Sequence, residues 1–243
     1  MKQNKYDDNT FFEKYSQMER SQKGLSGAGE WHALKQILPN FQNKRVLDLG
    51  CGFGWHCAYA MQAGALDVTG VDISEKMLER AKKETDPRIH YIKKPIEEVS
   101  FPENSFDVVL SSLAFHYVAD FESVVQNVKK MLSEEGVFVF SVEHPIFTAE
   151  GKQDWYYAET GEIAHWPVDN YFLEGIREAV FLGEPVTKYH RTLTTYLQTL
   201  LANGFVLTNV IEPMPEKEMM DIPGMKEELR RPMMLLVGAK KKV

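Results

Sequence analysis

The segment that most limits what this chain can fold into is Val46-Leu-Asp48-Leu-Gly50-Cys51-Gly52-Phe-Gly54-Trp55, a short apolar run ending in three alternating glycines and passing directly into a helix-forming stretch. Glycine permits positive φ and lets the backbone approach a ligand closely. At the C-terminal edge of a parallel sheet, such a turn floors a binding crevice. Nicotinamide and flavin proteins use the same local geometry, so the register matters. A G-x-G-x-x-G fingerprint begun at Gly50 needs a glycine where Trp55 stands, and one begun at Gly52 needs it where Cys57 stands. Neither register fits. Asp48, two residues before the first glycine, puts a negative charge at the ligand end of the strand. It repels a pyrophosphate and attracts a ligand carrying ammonium and sulfonium groups. Asp72 closes the next apolar run, where an acid is placed to accept hydrogen bonds from ribose hydroxyls.

Periodicity around this segment predicts alternating strands and helices. Arg45–Leu49, Leu66–Val71, Ile89–Ile92, Phe106–Leu110 and Val137–Val142 are apolar runs of strand length. A helix is expected over Trp55–Gln62 and another after Ser74, a good N-cap followed by Glu75. From Asp120, the residues Val124, Val125, Val128, Met131 and Leu132 recur on one helical face. Continuous apolar strands separated by helices mean a doubly wound, mostly parallel α/β core over residues 44–143. Residues 144–188 interrupt this order with scattered Gly and Pro and with Trp155, Tyr156, Tyr157, Trp166, Tyr171 and Phe172. So many aromatic side chains suggest a packed cap rather than a linker. A helix returns at Leu193–Leu201 and stops at Asn203-Gly204, and 205–211 and 233–239 are expected as two antiparallel closing strands. Residues 1–43 are expected as helices outside the core. The organisation is thus an N-terminal helical segment and a domain over 44–243 that carries the cap.

Charge and composition narrow the function. The 243 residues hold 28 Lys+Arg against 35 Asp+Glu, a net charge of -7, and the one dense basic run, Lys240–Lys242, is at the tail. This argues against nucleic-acid binding, which needs clustered cations. No stretch approaches the roughly 20 apolar residues of a membrane helix, and the first residues hold no apolar leader, so a cytoplasmic protein is expected. The two cysteines, Cys51 and Cys57, fall in the glycine segment as small packing residues, without the spacing of a disulfide or metal site.

Four motifs in order, Asp48-Leu-Gly-Cys-Gly-Phe-Gly54, Gly70-Val-Asp72-Ile-Ser, Asn104-Ser-Phe-Asp107-Val-Val and Ser111-Ser-Leu-Ala-Phe-His116-Tyr-Val, resemble those of the class I, Rossmann-like, S-adenosylmethionine-dependent methyltransferases. The likeness is greatest to the type 11 branch, which includes ubiquinone and menaquinone biosynthesis enzymes. It implies a seven-stranded sheet with the last strand antiparallel, S-adenosyl-L-methionine as cofactor and S-adenosyl-L-homocysteine as product. It further implies that Asp48 holds the methionine amino group, that Gly50, Cys51, Gly52 and Gly54 run beneath the methionine, and that Asp72 binds the ribose. Ile73 would pack on the adenine, and Ser111 and Leu113 would lie beside the methionine. Where the family often has an acid for the adenine amino group, this chain has Pro95, so that contact falls to Glu97 or the Ile96 backbone. Asp107 starts its strand at the far edge and is expected to be structural.

Methyl transfer needs a positioned acceptor and, for a protonated oxygen or nitrogen, a base, with no metal. His116 and His144 follow the fourth and fifth strands and are the candidate bases. His190 is expected to open the helix after the cap and face the cleft. Tyr15, Met18, Arg20 and Trp31 are candidate lid residues, and Trp155 and Tyr157 candidate walls for a small apolar or ring-containing substrate. No nucleic-acid or membrane partner is expected, and the oligomeric state is a monomer or homodimer. The competing readings are a nicotinamide-dependent oxidoreductase and a non-catalytic protein that binds the same cofactor.

Overall fold

The computed structural model describes residues 3–242. Short N-terminal helices α1 (Asn9–Ser16), α2 (Glu19–Lys23) and α3 (Trp31–Ile37) precede β1 (Arg45–Leu49), α4 (Trp55–Gln62), β2 (Asp67–Asp72), α5 (Glu75–Glu84), β3 (His90–Lys93) and β4 (Phe106–Ser112). Then follow α6 (Phe121–Met131), β5 (Leu132–Glu143), α7 (Pro145–Thr148), β6 (Tyr156–Tyr157), β7 (Ile163–His165), β8 (Gly175–Phe181) and β9 (Glu184–His190). The chain closes with α8 (Leu193–Ala202), β10 (Phe205–Ile211) and β11 (Met234–Lys241).

Seven strands form one sheet in the order β10-β11-β5-β4-β1-β2-β3. β1 pairs in parallel with both β2 and β4, and only β11 runs against its neighbours, between β5 and β10. The order reverses at β1, so the glycine turn after β1 and the ends of β2, β4 and β5 border one crevice, where open α/β sheets bind ligands. α6 and α8 cover one face with Phe138, Phe140, Val125 and Tyr196 in the core, and α4 and α5 cover part of the other around Val46, Val68, Cys57 and Leu78. Ser74 and Asp120 cap α5 and α6 with their side chains, as their positions before each apolar stripe predict.

Two boundaries differ from expectation. β5 begins at Leu132, which pairs with Phe106, after which residues 133–136 loop out and Val137 resumes pairing with Val108. Glu135 takes a positive φ of 59° in that bulge, a conformation its composition does not advertise. The cap is more regular than its Gly and Pro content suggests, because it contains the hairpins β6–β7 and β8–β9. Leu182 and Gly183 both have positive φ, the geometry of a two-residue hairpin turn. His190 therefore ends a strand instead of opening α8, whose N-cap is Thr192.

Candidate active site

The glycine turn is built from the backbone outward. Gly50 and Cys51 donate their N–H groups to the Val71 carbonyl at 2.8 and 3.0 Å, and Gly52 N–H donates to Asp72 Oδ2 at 2.9 Å. Gly50 has φ 78°, and a Cβ there would stand 2.5 Å from that of Ala114. Gly52 has φ 53° with nothing within 4 Å of an added Cβ, so its open side is free for a ligand. Asp72 also accepts from Ser74 N–H at 2.9 Å, and burial raises its pKa. Asp48 is 1% exposed. Its Oδ2 accepts from Cys57 Sγ at 3.4 Å, its Oδ1 has no partner among the described residues, and burial pushes its pKa up to about 7. An orphaned carboxylate oxygen two residues before an open glycine turn suits a cationic group, although Asp48 itself does not border the cavity that opens there.

A cavity of about 540 Å³ opens from this turn. Gly50, Gly52, Asp72, Ile73, Ile96 and Glu97 border one end, with Pro95, Ser112 and Leu113 beside them. The side bounded by α1 and the cap is aromatic. Tyr6 stands edge-on to Phe11, Tyr15 and Tyr117 at ring-centroid distances of 5.1, 5.2 and 6.5 Å, and Phe181 and Tyr189 of β8 and β9 complete the wall. Burial raises the pKa of both Tyr6 and Tyr117 and keeps their phenols protonated. Arg20 reaches the cavity from α2 and is paired at 3.0 Å with the buried Glu30.

His116 borders this cavity and is 2% exposed. Its Nδ1 accepts the Glu143 N–H at 3.4 Å, and burial lowers its pKa to about 4, so the ring is neutral at pH 7. Glu143 ends β5 at the cavity. Its Oε1 lies 2.6 Å from Lys188 Nζ and its Oε2 accepts from Gln153 Nε2 at 2.8 Å, while Lys188 Nζ also donates to Gln153 Oε1 at 2.7 Å. This buried network joins the cap to the sheet.

Several expected residues stand elsewhere. His144 caps α7 by accepting the Ile146 N–H on Nδ1, and its Nε2 lies 2.9 Å from Glu212 Oε1, outside the cavity wall. His190 is wholly buried, with Nδ1 2.7 Å from Thr148 Oγ1 and Nε2 2.8 Å from the Tyr171 carbonyl, so it is a cap-anchoring residue rather than a cleft residue. In each ring one nitrogen meets a backbone group, Ile146 N–H for His144 and the Tyr171 carbonyl for His190, and the other faces a side chain. Trp31 packs on Tyr59 at 4.8 Å, and Trp155 on Trp166 at 5.1 Å under Arg230 and Arg231. Tyr157 is largely exposed on β6. None of these three borders the cavity. Cys51 and Gly54 lie behind the turn, and Ser111 donates to the Leu49 carbonyl at 2.7 Å, leaving Ser112 to face the cavity. Asp107 is bound by Arg45 through two guanidinium bonds at 2.8 and 3.1 Å and one from the backbone N–H at 2.9 Å, at the opposite sheet edge.

Tyr6, Tyr117 and the Glu143–Lys188–Gln153 network escape a sequence reading. Glu143 alone carried a usable signal, an acid at a strand's C-terminal end like Asp72. Tyr6 lies in a stretch with no apolar period, and Lys188 reads as a surface cation.

Comparison with known proteins agrees with this geometry. Residues 47–140 match the type 11 family model described as "Methyltransferase domain". A candidate S-adenosylmethionine-dependent methyltransferase from Listeria monocytogenes is 56% identical, with 90% of this chain and 100% of that chain aligned at a TM-score of 0.87. An S-adenosylmethionine-dependent methyltransferase from Mesorhizobium loti is 43% identical over 90% of this chain and 100% of its own, at a TM-score of 0.83. An uncharacterised protein of Haemophilus influenzae is 34% identical over 97% of this chain and 96% of its own length. The chain belongs to the S-adenosylmethionine-dependent methyltransferases. Its cofactor is S-adenosylmethionine, and no helix among the described residues is long and apolar enough to cross a membrane.

Proposed function

We propose that this enzyme methylates a small, partly apolar or ring-containing molecule in the cytoplasm, as a monomer or homodimer. The observation that carries the proposal is a single cavity bordered both by the glycine turn with Asp72 and by a set of aromatic side chains. Bound at the turn, the cofactor supplies a reactive methyl on a sulfonium with a good leaving group. Asp72 holds the ribose hydroxyls through the lone pairs its two backbone contacts leave free. Asp48 Oδ1 takes the amino group, directly or through water, and Ile73 and Ile96 sandwich the adenine. Glu97 or the Ile96 backbone receives the adenine amino group in place of the acid displaced by Pro95. Arg20, whose guanidinium reaches the cavity, meets the cofactor carboxylate. The segment carrying Tyr6, Tyr15 and Arg20 acts as a lid that excludes water, and the wall of Tyr117, Phe181 and Tyr189 orients the acceptor.

Calorimetric titration with S-adenosylmethionine, S-adenosylhomocysteine and NADH tests the cofactor end. Micromolar binding of both sulfur nucleosides and none of NADH is expected, and NADH binding alone would sink the proposal. Turnover of labelled methyl donor on a panel of small acids, phenols and amines tests the substrate class.

A further inference from the structure

His116 has one committed ring nitrogen and one open one. Nδ1 accepts the Glu143 N–H at 3.4 Å. In a neutral imidazole the nitrogen that accepts is the unprotonated one, so the proton sits on Nε2. Among the described residues, none is hydrogen-bonded to Nε2, yet His116 borders the cavity. The cavity is therefore offered an N–H donor, and the ring has no free lone pair with which to take a proton.

One of the cations around that donor has no ion-pair partner among the described residues. Glu143 is matched by Lys188 at 2.6 Å, and Arg20 by Glu30 at 3.0 Å. Arg191 has no such match among the described residues. Arg191 is 7% exposed and donates to the carbonyls of Val118, of Ala119 at 2.8 Å, of Phe115 at 3.4 Å and of Tyr189 at 3.5 Å, and it also bonds the Tyr196 hydroxyl. Asp120 is hydrogen-bonded to Ser123, whose N–H it accepts at 3.0 Å, and Ser123 first and Arg191 more weakly lower its pKa. Phe115, Val118 and Ala119 belong to the loop that carries His116, so Arg191 both shapes that loop and leaves an unpaired positive charge beneath it. Among the charges acting on the ring Glu143 is the strongest, opposed by Lys188, Arg191 and Arg20.

We infer that the acceptor's reacting atom is an ionised oxygen, a carboxylate or phenolate, held by His116 Nε2–H above the charge of Arg191. The inference deepens the small-molecule methyltransferase proposal and rests on it. His116 is then a hydrogen-bond donor to the acceptor rather than its base. The acceptor oxygen uses a lone pair to form the new O–C bond while the C–S bond breaks with its electrons passing to sulfur. A negative oxygen and a positive sulfonium become an ether or ester and a neutral thioether, with no proton released. An ammonium acceptor would meet like charge and find no group to deprotonate it.

The test uses the full chain saturated with S-adenosylhomocysteine, with benzoate, 4-nitrophenol at pH 8, benzyl alcohol and benzylamine as ring-bearing probes. At least one of the two anionic oxygens is expected to bind about tenfold or more tighter than the alcohol, with benzylamine weakest. Preference for benzoate assigns a carboxylate, and preference for nitrophenolate a phenolate. His116→Ala is expected to weaken the bound anion about tenfold or more, while His116→Gln, which keeps an N–H donor, stays within about threefold. Tighter binding of benzylamine, no binding of either anion, or a failed rescue by Gln overturns the inference. Should either variant fail to fold, nitrogen NMR of the native protein decides: His116 protonated on Nε2 between pH 6 and 8 is expected, and a proton on Nδ1 overturns it. Failure of S-adenosylhomocysteine itself to bind strikes the underlying methyltransferase proposal. Its binding without anion binding strikes this inference alone.

Discussion

Asp48 and Asp72 show how two acids of the same type are given different tasks by the atoms around them. Asp72 keeps both oxygens in backbone hydrogen bonds, so losing it removes a preformed receptor. Asp72→Ala should lower S-adenosylhomocysteine affinity about tenfold or more, since hydrogen bonds to a charged group contribute roughly 1.5–3 kcal/mol; calorimetry checks this. Asp48 is buried against Cys57 and near Asp72, with a pKa pushed from 3.8 to about 7. Its folded pKa lies above its unfolded one, so its contribution to stability is complete below about pH 4 and is lost as the pH rises to about 7. The unliganded protein should therefore gain stability on Asp48→Asn at pH 8 and little at pH 4, as denaturant titration would show. Cofactor binding has the opposite slope: the amino group needs the ionised carboxylate, so affinity should climb between pH 6 and 8 in the native protein and stay flat in Asp48→Asn. Both acids were visible in the sequence because strand ends and glycines surround them. The orphaned Oδ1 was not, since it depends on what packs above it.

Elements carry the next set of consequences. The glycine turn tolerates no side chain at Gly50, where positive φ and the 2.5 Å approach to Ala114 combine. Gly50→Ala should cost about 1–3 kcal/mol of unfolding free energy and distort the cofactor end, measured by melting with and without S-adenosylhomocysteine. Ser74 serves two elements at once: its Oγ accepts from Met77 N–H at 3.2 Å as the α5 cap and donates to Asp7 Oδ1 at 2.6 Å. Ser74→Ala should cost about 1 kcal/mol and speed amide exchange at residues 5–8, which lose their anchor. The core strands were legible as continuous apolar runs buried on both faces, and the helices by a period of 3.6 on one face. The β8–β9 hairpin was not. Ile176, Glu178 and Val180 point to one side and Arg177, Ala179 and Phe181 to the other, so charge and apolarity are mixed on both faces.

At the scale of the molecule, the Glu143–Lys188–Gln153 network decides where the cap sits on the sheet. Lys188 is 2% exposed, and removing its charge leaves Glu143 buried without a cation. Lys188→Met should cost about 3–5 kcal/mol, and pairing it with Glu143→Gln should return a large part of that loss, as a double-mutant cycle in urea would show. The sequence by itself determined the α/β class, the strand-turn-helix that floors the crevice, and the cofactor, because those depend on residues near one another in the chain and on a fixed backbone geometry; of its two candidate acids, Asp72 borders the cavity and Asp48 does not. Tertiary structure alone decided which histidine reaches the cavity, that Tyr6 and Tyr117 meet, and that Lys188 answers Glu143 across 45 residues. Those outcomes depend on which polar atoms find partners after packing. Distance along the chain holds no record of them.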